Sequence, residues 1–193
     1  RDGGPVPVFI LGPSRSGKTL IEGLLADRPD VHAAGEGSQW ADALRKIADR
    51  HGMPNSLLVL MDSLDEAGVA EVGTAFLDSM AAESPDAGWF INTAPGYFET
   101  VGLILRALPS ARIIHCRRDP IDTGLQIYFS RYRSANDHAY DLDHIATYIS
   151  GYRAMMAHWT RLHDDRILDV AYEDLVRDTA RQAARISAFT GLP

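Results

Sequence analysis

The sequence predicts an α/β protein, specifically a P-loop-containing three-layer sandwich with a central parallel sheet. Two observations lead to this prediction. Short apolar runs typical of buried strands alternate with longer segments of helical periodicity, and such alternation favours a parallel sheet that helices cover on both faces. The first apolar run, residues 7–11, also leads into a glycine-rich loop followed by a helical pattern, the strand–loop–helix order of phosphate-binding α/β proteins.

Each element is predicted from its apolar spacing and from the residues that interrupt it. Apolar runs that end at turn residues predict strands over 7–11, 89–91, 111–116 and 166–170. Proline and glycine mark the boundaries, for example at Gly12-Pro13 after the first strand and at Ala94-Pro-Gly96 after the second. Helical spacing predicts helices over 19–26, 39–50, 64–82, 97–108, 119–133, 142–163 and 172–190.

Composition sets limits on the function. The chain has 193 residues, 46% of them hydrophobic, with 19 basic and 26 acidic residues and a net charge of −7. These values indicate one globular domain rather than a disordered chain, and the acidity argues against a general nucleic-acid binder. The single cysteine, Cys116, excludes a disulfide framework within the chain. No apolar run approaches the roughly 18–20 residues of a membrane span. The chain starts at Arg1 with neither a methionine nor a signal peptide, so we expect a fragment.

The loop after the first strand carries the strongest chemical signal. Gly12-Pro-Ser-Arg-Ser-Gly-Lys-Thr19 matches the pattern G-x-x-x-x-G-K-[ST] at every fixed position. Successive backbone N–H groups in such a loop surround an anion, and the following helix adds its dipole. The alternative is a chance glycine-rich turn capped by Thr19. The residues expected to hold phosphate are Arg15, Ser16, Gly17, Lys18 and Thr19.

A P-loop ATPase or kinase is one function that this loop permits. Such an enzyme needs a magnesium ligand at the end of a second apolar strand. Residues 57–62 form an apolar run that ends in Asp62, but the same residues fit the start of a helix equally well.

Three segments together resemble a known family. Residues 115–129 contain Arg117-Arg-Asp-Pro-Ile-Asp-Thr123, the first loop contains Ser14-Arg-Ser-Gly-Lys-Thr-Leu20, and Val170-Ala-Tyr-Glu-Asp-Leu-Val176 follows near the end. Their order resembles the sulfotransferases that use 3′-phosphoadenosine 5′-phosphosulfate. The likeness is greatest to bacterial members often fused to tetratricopeptide repeats and related to tyrosylprotein sulfotransferases. The resemblance implies a cytoplasmic bacterial enzyme with a single sulfotransferase domain over residues 1–193. It also implies that this domain lacks its basic C-terminal lid and that a repeat domain can precede it in the longer protein.

The resemblance also implies roles for individual residues. Arg118 would bind the 3′-phosphate, with Arg117 as a second candidate unless it only forms an exposed ion pair. Glu36 would accept the proton of a hydroxyl acceptor, although it could instead cap the helix that starts near Ser38. His115 is a poorer base, because it lies inside a strand pattern typical of a core histidine. The implied catalytic residues are Glu36, Lys18 and Arg15, and the nucleotide-binding residues are Arg15, Ser16, Gly17, Lys18, Thr19, Arg118, Gln126 and Tyr172.

The implied partners are a donor nucleotide and a hydroxyl acceptor on a peptide tyrosine, a carbohydrate or a small molecule. Tyr172 would lie near the nucleotide, or else anchor the last helix as a buried aromatic residue. This chemistry requires no metal, and the seven histidines show no metal-ligand spacing. Neither nucleic acid nor a membrane span is implied.

The chain departs from the family pattern at three positions. Thr93 stands where a lysine usually stabilises the sulfuryl group, and Gln126 stands where a serine usually contacts the 3′-phosphate. Lys18 replaces the usual threonine of the first loop. We hypothesise that Lys18 supplies the cation missing at Thr93, because both positions are predicted at the carboxyl edge of the sheet. The alternative is a catalytically silent nucleotide-binding homologue.

Overall fold

The computed structural model describes residues 4–54, 56–132 and 136–192. Within these residues the five strands are β1 (Val6–Leu11), β2 (Val31–Ala33), β3 (Trp89–Thr93), β4 (Arg112–Arg117) and β5 (Ile167–Ala171). They form one sheet in the order β2-β3-β1-β4-β5. All four neighbouring pairs are parallel, so the predicted central parallel sheet is confirmed.

Helices follow the strands, as the alternating pattern requires. The α-helices are α1 (Lys18–Ala26), α2 (Gln39–Arg50), α3 (Leu57–Ser63), α4 (Glu66–Glu83), α5 (Val101–Ala107), α6 (Pro120–Tyr128), α7 (Leu142–Leu162), α8 (Tyr172–Arg177) and α9 (Thr179–Thr190). Short 3-10 helices cover Pro95–Thr100 and Asp137–Tyr140. No helix among the described residues is long and apolar enough to cross a membrane.

Alternate side chains of β1 pack into two separate cores. Val8 and Ile10 point to one face, where they pack with residues of α1, α8 and α9. Phe9 points to the other face, and its ring centroid lies 5.9 Å from that of Trp40 and 5.3 Å from that of Phe76. Since successive side chains of a strand face opposite sides, a sheet with apolar residues on both faces needs two helical layers. The predicted three-layer sandwich is confirmed.

One strand was not predicted. Residues Val31–Ala33 form the edge strand β2, which pairs with β3 alone. Its sequence, Val-His-Ala, is too short for an apolar run or an alternating pattern, because an edge strand whose residues are only half-buried needs neither. This strand is important for the site, because it ends at Ala33, three residues before Glu36.

The helix boundaries differ from prediction where polar side chains cap helix ends. The carboxylate of Asp65 accepts a hydrogen bond from the backbone N–H of Gly68 and caps α4, which therefore starts at Glu66 rather than at residue 64. Asp178 caps α9 in the same way, so the helix predicted over 172–190 is two helices. The helix predicted over 119–133 ends at Tyr128, and Arg133 lies outside the described residues.

The segment over residues 57–62 is helical. It belongs to α3, and Asp62 lies exposed on that helix. The run is therefore not the strand that a magnesium-binding Asp62 would require.

Candidate functional site

The phosphate loop lies between β1 and α1 in a conformation that depends on two glycines. Gly17 has a φ of +96°, and a Cβ there would lie 2.5 Å from a ring carbon of Tyr172. A Cβ on Gly12 would lie 2.4 Å from the Ser16 hydroxyl oxygen and 2.6 Å from the Cys116 carbonyl oxygen. Both positions therefore exclude a side chain, so the backbone approaches its neighbours closely, as a phosphate loop requires.

The inner side of this loop carries unused hydrogen-bonding capacity. Ser16 is fully buried, and its hydroxyl has no hydrogen-bond partner among the described residues. Below it, the thiol of Cys116 donates to the Ser16 carbonyl at 2.9 Å. Burial raises the pKa of Cys116 to about 11, so this thiol stays protonated at neutral pH and supports the loop rather than acting as a nucleophile.

Arg15 and Arg118 are brought together across the loop. Arg118 donates to the Arg15 carbonyl at 3.2 Å, and its guanidinium lies 4.6 Å from the ring centroid of Tyr172. The Nε atom of Arg118 is buried and has no partner within the described part of the chain. Arg15 has a φ of +66°, an uncommon conformation for a non-glycine residue that is enriched at functional positions.

Ser130 holds the Arg15 side chain. Its hydroxyl accepts a hydrogen bond from Arg15 Nε at 2.9 Å and donates to the carbonyl of Gln126 at 2.6 Å. The Gln126 side chain itself is exposed, so only its backbone is tied to the site. Sequence reasoning missed Ser130, which lies four residues after Gln126. A search for hydroxyl side chains one helical turn beyond position 126, where the family pattern has a serine, would have found it.

Lys18 and Glu36 meet at the other side of the loop. Lys18 is only 4% exposed; its Nζ donates to the Pro13 carbonyl at 3.0 Å and lies 4.0 Å from Glu36 Oε1. Burial lowers the pKa of Lys18, although the charge of Glu36 partly opposes this effect. Glu36 is 65% exposed and Ser38, not Glu36, occupies the cap position of α2.

Backbone pairing between β2 and β3 positions Glu36. The Thr93 N–H donates to the Gly35 carbonyl at 2.9 Å, and Thr93 pairs in register with Ile10 of β1. Thr93 is 1% exposed, and its hydroxyl has no partner among residues 4–54, 56–132 and 136–192. The position where the family pattern has a lysine thus lies on the strand next to the phosphate loop.

A second charged cluster lies at the ends of β4 and β5. His115 Nδ1 lies 2.7 Å from Asp169 Oδ1, and Arg117 Nε lies 3.3 Å from Asp169 Oδ2. Burial raises the pKa of Asp169, but the hydrogen bond from His115 and the charge of Arg117 outweigh it and lower the value overall. Arg117 is therefore engaged in an ion pair rather than aimed at the loop. Sequence reasoning missed Asp169, because the pair depends on the register between the two strands.

The sheet order and the glycine-rich loop after β1 define an α/β protein with a P-loop-like fold. More specifically, the chain belongs to the sulfotransferase family, whose model matches residues 7–193. An uncharacterized protein of Aquifex aeolicus is 28% identical over 97% of this chain, which spans only 26% of the length of that relative.

Solved structures agree with this assignment. The sulfotransferase domain of the olefin synthase from Synechococcus PCC 7002 has a TM-score of 0.62 and 25% identity, covering 99% of this chain and 75% of that one. A mouse sulfotransferase complexed with PAP has a TM-score of 0.56 and 14% identity, covering 100% of this chain and 61% of that one. A shikimate kinase from Bacteroides thetaiotaomicron has a TM-score of 0.51 and 12% identity, covering 97% and 99%. The last two show the fold alone, which kinases share.

Proposed function

We propose that this protein transfers a sulfuryl group from 3′-phosphoadenosine 5′-phosphosulfate to a hydroxyl acceptor. The observation that carries the proposal is the phosphate loop of a sulfotransferase-family chain flanked by two contacting arginines, Arg15 and Arg118. Two cationic groups around one loop match a donor that carries two separate anionic groups.

The donor would bind along the carboxyl edge of the sheet. Its 5′-phosphosulfate would take the backbone N–H groups of the loop and the side chains of Arg15, Ser16, Lys18 and Thr19. Its 3′-phosphate would bind Arg118, whose Nε has no partner among the described residues and whose guanidinium contacts the Tyr172 ring. A planar guanidinium held in this way suits charge-assisted hydrogen bonds to a phosphate. Gln126 would contribute less, since its side chain is exposed.

Glu36 and Lys18 would carry the transfer step. The acceptor oxygen attacks the sulfur, a new O–S bond forms, and the bond between sulfur and the bridging 5′-phosphate oxygen breaks. Glu36 takes the acceptor proton as a general base, and adenosine 3′,5′-bisphosphate leaves with the electron pair of the broken bond. Lys18 and Arg15 stabilise the negative charge that develops on the bridging oxygen. The distance of 4.0 Å between Lys18 Nζ and Glu36 Oε1 supports an arrangement in which the base and the cation both lie next to the reacting sulfuryl group.

Lys18 would also replace the family lysine that is absent at Thr93. Thr93 lies on β3 and pairs with Ile10 of the neighbouring strand β1. Lys18 follows the loop that begins just after Ile10 and Leu11, so the two positions lie at the same edge of the sheet. A catalytically silent nucleotide-binding homologue is the second candidate, and the departures at Thr93 and Gln126 favour it.

The acceptor would carry its hydroxyl on a peptide tyrosine, a carbohydrate or a small molecule. Three further points remain predictions. They are a cytoplasmic bacterial setting, a single domain over residues 1–193 without its C-terminal lid, and a closer relation to repeat-associated and tyrosylprotein sulfotransferases. The activity of any longer protein that contains this chain is likewise a proposal.

Two measurements test the function. Calorimetric titration with adenosine 3′,5′-bisphosphate, without magnesium, is expected to show saturable binding, whereas ATP is expected not to bind. Transfer of radiolabelled sulfate to a panel of phenols, sugars and tyrosyl peptides then separates an enzyme from a silent homologue. Binding without transfer to any acceptor would support the silent homologue, and tight magnesium-dependent ATP binding would overturn both.

A further inference from the structure

A cavity of about 690 Å³ opens beyond the carboxyl ends of β4 and β5, between the N-terminus of α6 and the side of α7. It lies at the opposite end of the strand order from Glu36, which follows β2. Pro13 of the phosphate loop and Arg118, the proposed 3′-phosphate ligand, form part of its wall, so the cavity adjoins the proposed donor site. Its volume is within the range of small-molecule binding sites.

Three polar atoms of residues in the wall of this cavity are buried and have no hydrogen-bond partner in the described part of the chain. They are His115 Nε2, Thr123 Oγ1 and the hydroxyl of Tyr152. The three residues are 5%, 1% and 4% exposed. Leaving such a group unpaired costs about 1–3 kcal/mol, so three such groups in the wall of one cavity favour a ligand that carries a polar group.

The His115 ring is oriented by Asp169. In the neutral ring, the Nδ1–H donates to the Asp169 carboxylate 2.7 Å away, so Nε2 carries the lone pair and accepts. The hydroxyls of Thr123 and Tyr152 both donate and accept. The inner polar end of the cavity therefore suits a hydroxyl group.

The mouth of the cavity is cationic. Arg153, Ala157 and Arg161 follow one another at intervals of four residues along α7 and all line it, as one face of a helix does. Among the described residues, neither arginine makes an ion pair with a carboxylate. The rest of the wall is largely apolar and includes Ile149 and Met156.

The carboxylates of the cavity are engaged with other groups. Asp169 is paired with His115 and Arg117. Asp119 caps the start of α6, and Glu173 accepts a hydrogen bond from the Asp119 N–H at 2.9 Å. In the described part of the chain none of these acids forms an ion pair with an arginine of α7, so Arg153 and Arg161 can pair with the anionic group of a ligand.

We propose that this cavity is a second binding site, specific for a small organic anion that has an apolar body and a hydroxyl group. The hydroxyl lies among His115, Thr123 and Tyr152, the apolar body packs on the α7 side chains, and the anionic group meets Arg153 and Arg161. The site does not depend on the proposed sulfuryl transfer, because His115, Thr123, Tyr152, Arg153 and Arg161 have no role in that reaction; the two sites share only the boundary formed by Pro13 and Arg118.

The probe for this site is 6-hydroxynaphthalene-2-sulfonate, followed by fluorescence and by calorimetry in the absence of any sulfuryl donor. Saturable binding of one probe per chain is expected. Naphthalene-2-sulfonate, which lacks the hydroxyl, and 2-naphthol, which lacks the anion, are each expected to bind at least about fivefold more weakly, the loss of one hydrogen bond or ion pair.

Variants on the exposed side of α7 locate the probe. Ala157→Trp fills the mouth and is expected to weaken binding at least about tenfold. Arg153→Ala and Arg161→Ala are each expected to weaken sulfonate binding by up to about fivefold without changing the affinity for 2-naphthol. The matched control, Arg177→Ala, removes an exposed arginine on α8 and is expected to leave binding unchanged.

Three results would overturn the proposal. The first is the absence of saturable binding. The second is binding that Ala157→Trp and the arginine variants leave intact in folded protein, as judged by thermal unfolding. The third is one-for-one displacement of the probe by adenosine 3′,5′-bisphosphate, which would make the cavity part of the donor site. Since no turnover is measured, failure of sulfate transfer would leave this test unaffected.

Discussion

Lys18→Met is expected to separate ligand binding from folding stability. Lys18 is 4% exposed, and its ammonium makes one hydrogen bond, to Pro13, and one longer ion pair, to Glu36. At 4.0 Å the ion pair is worth about 1 kcal/mol in a water-like dielectric, which applies because Glu36 is 65% exposed. The hydrogen bond adds about 1 kcal/mol.

The desolvation cost of burying an ammonium offsets these two contributions. A methionine of similar length avoids that cost, so the free energy of unfolding is expected to change by less than about 1 kcal/mol. A charge-assisted hydrogen bond to phosphate is worth about 1.5–3 kcal/mol, so the Kd for adenosine 3′,5′-bisphosphate is expected to rise by about 10- to 150-fold.

The pH dependence provides a second signature of the same residue. Because burial lowers the pKa of Lys18, the affinity for the bisphosphate is expected to fall with rising pH before an ordinary lysine would deprotonate. In that interval the unfolded chain binds more protons than the folded one, so the stability of the free protein rises with pH. Lys18→Met is expected to abolish both effects.

Calorimetric titration and chemical denaturation measure these quantities. Lys46→Met is the matched control, since Lys46 is the chain's other lysine and is exposed on α2. An unchanged Kd in Lys18→Met, or an equal loss in Lys46→Met, would refute the reasoning.

Three further predictions concern the same edge of the sheet. Glu36→Gln is expected to lower kcat for sulfate transfer by about 100-fold or more while leaving bisphosphate affinity within about twofold; an unchanged kcat would exclude the base role. Thr93→Lys is expected to recover turnover lost in a Lys18→Ala background, and a lack of recovery in folded protein would contradict the proposed exchange of cations. Gly17→Ala is expected to reduce the free energy of unfolding by at least about 2 kcal/mol, because φ is +96° and the new Cβ would lie 2.5 Å from an aromatic carbon. Gly23→Ala, in α1 with nothing within 4 Å, is the control and is expected to stabilise by about 0.5–1 kcal/mol; equal effects in denaturation would reject the argument from φ.

The parts of the molecule that could be predicted are those with local determinants. The phosphate loop is contained in eight consecutive residues, Gly12 to Thr19, and its flanking strand and helix form next to it. The buried strand β1 is an apolar run of six residues, whereas the half-buried β2 has three residues and no such signal. Helix ends set by a single capping carboxylate, as at Asp178, were harder to predict than the helices themselves.

By itself, the sequence determined the layered α/β class, the family and the position of the glycine-rich loop after β1, because apolar periodicity and contiguous motifs specify them. Only the tertiary structure decided which side chains meet. The contacts of Lys18 with Glu36, of Arg15 with Ser130 and of His115 with Asp169 join distant segments. They arise because the strands assemble out of chain order, β2-β3-β1-β4-β5, in a register that packing on both faces selects.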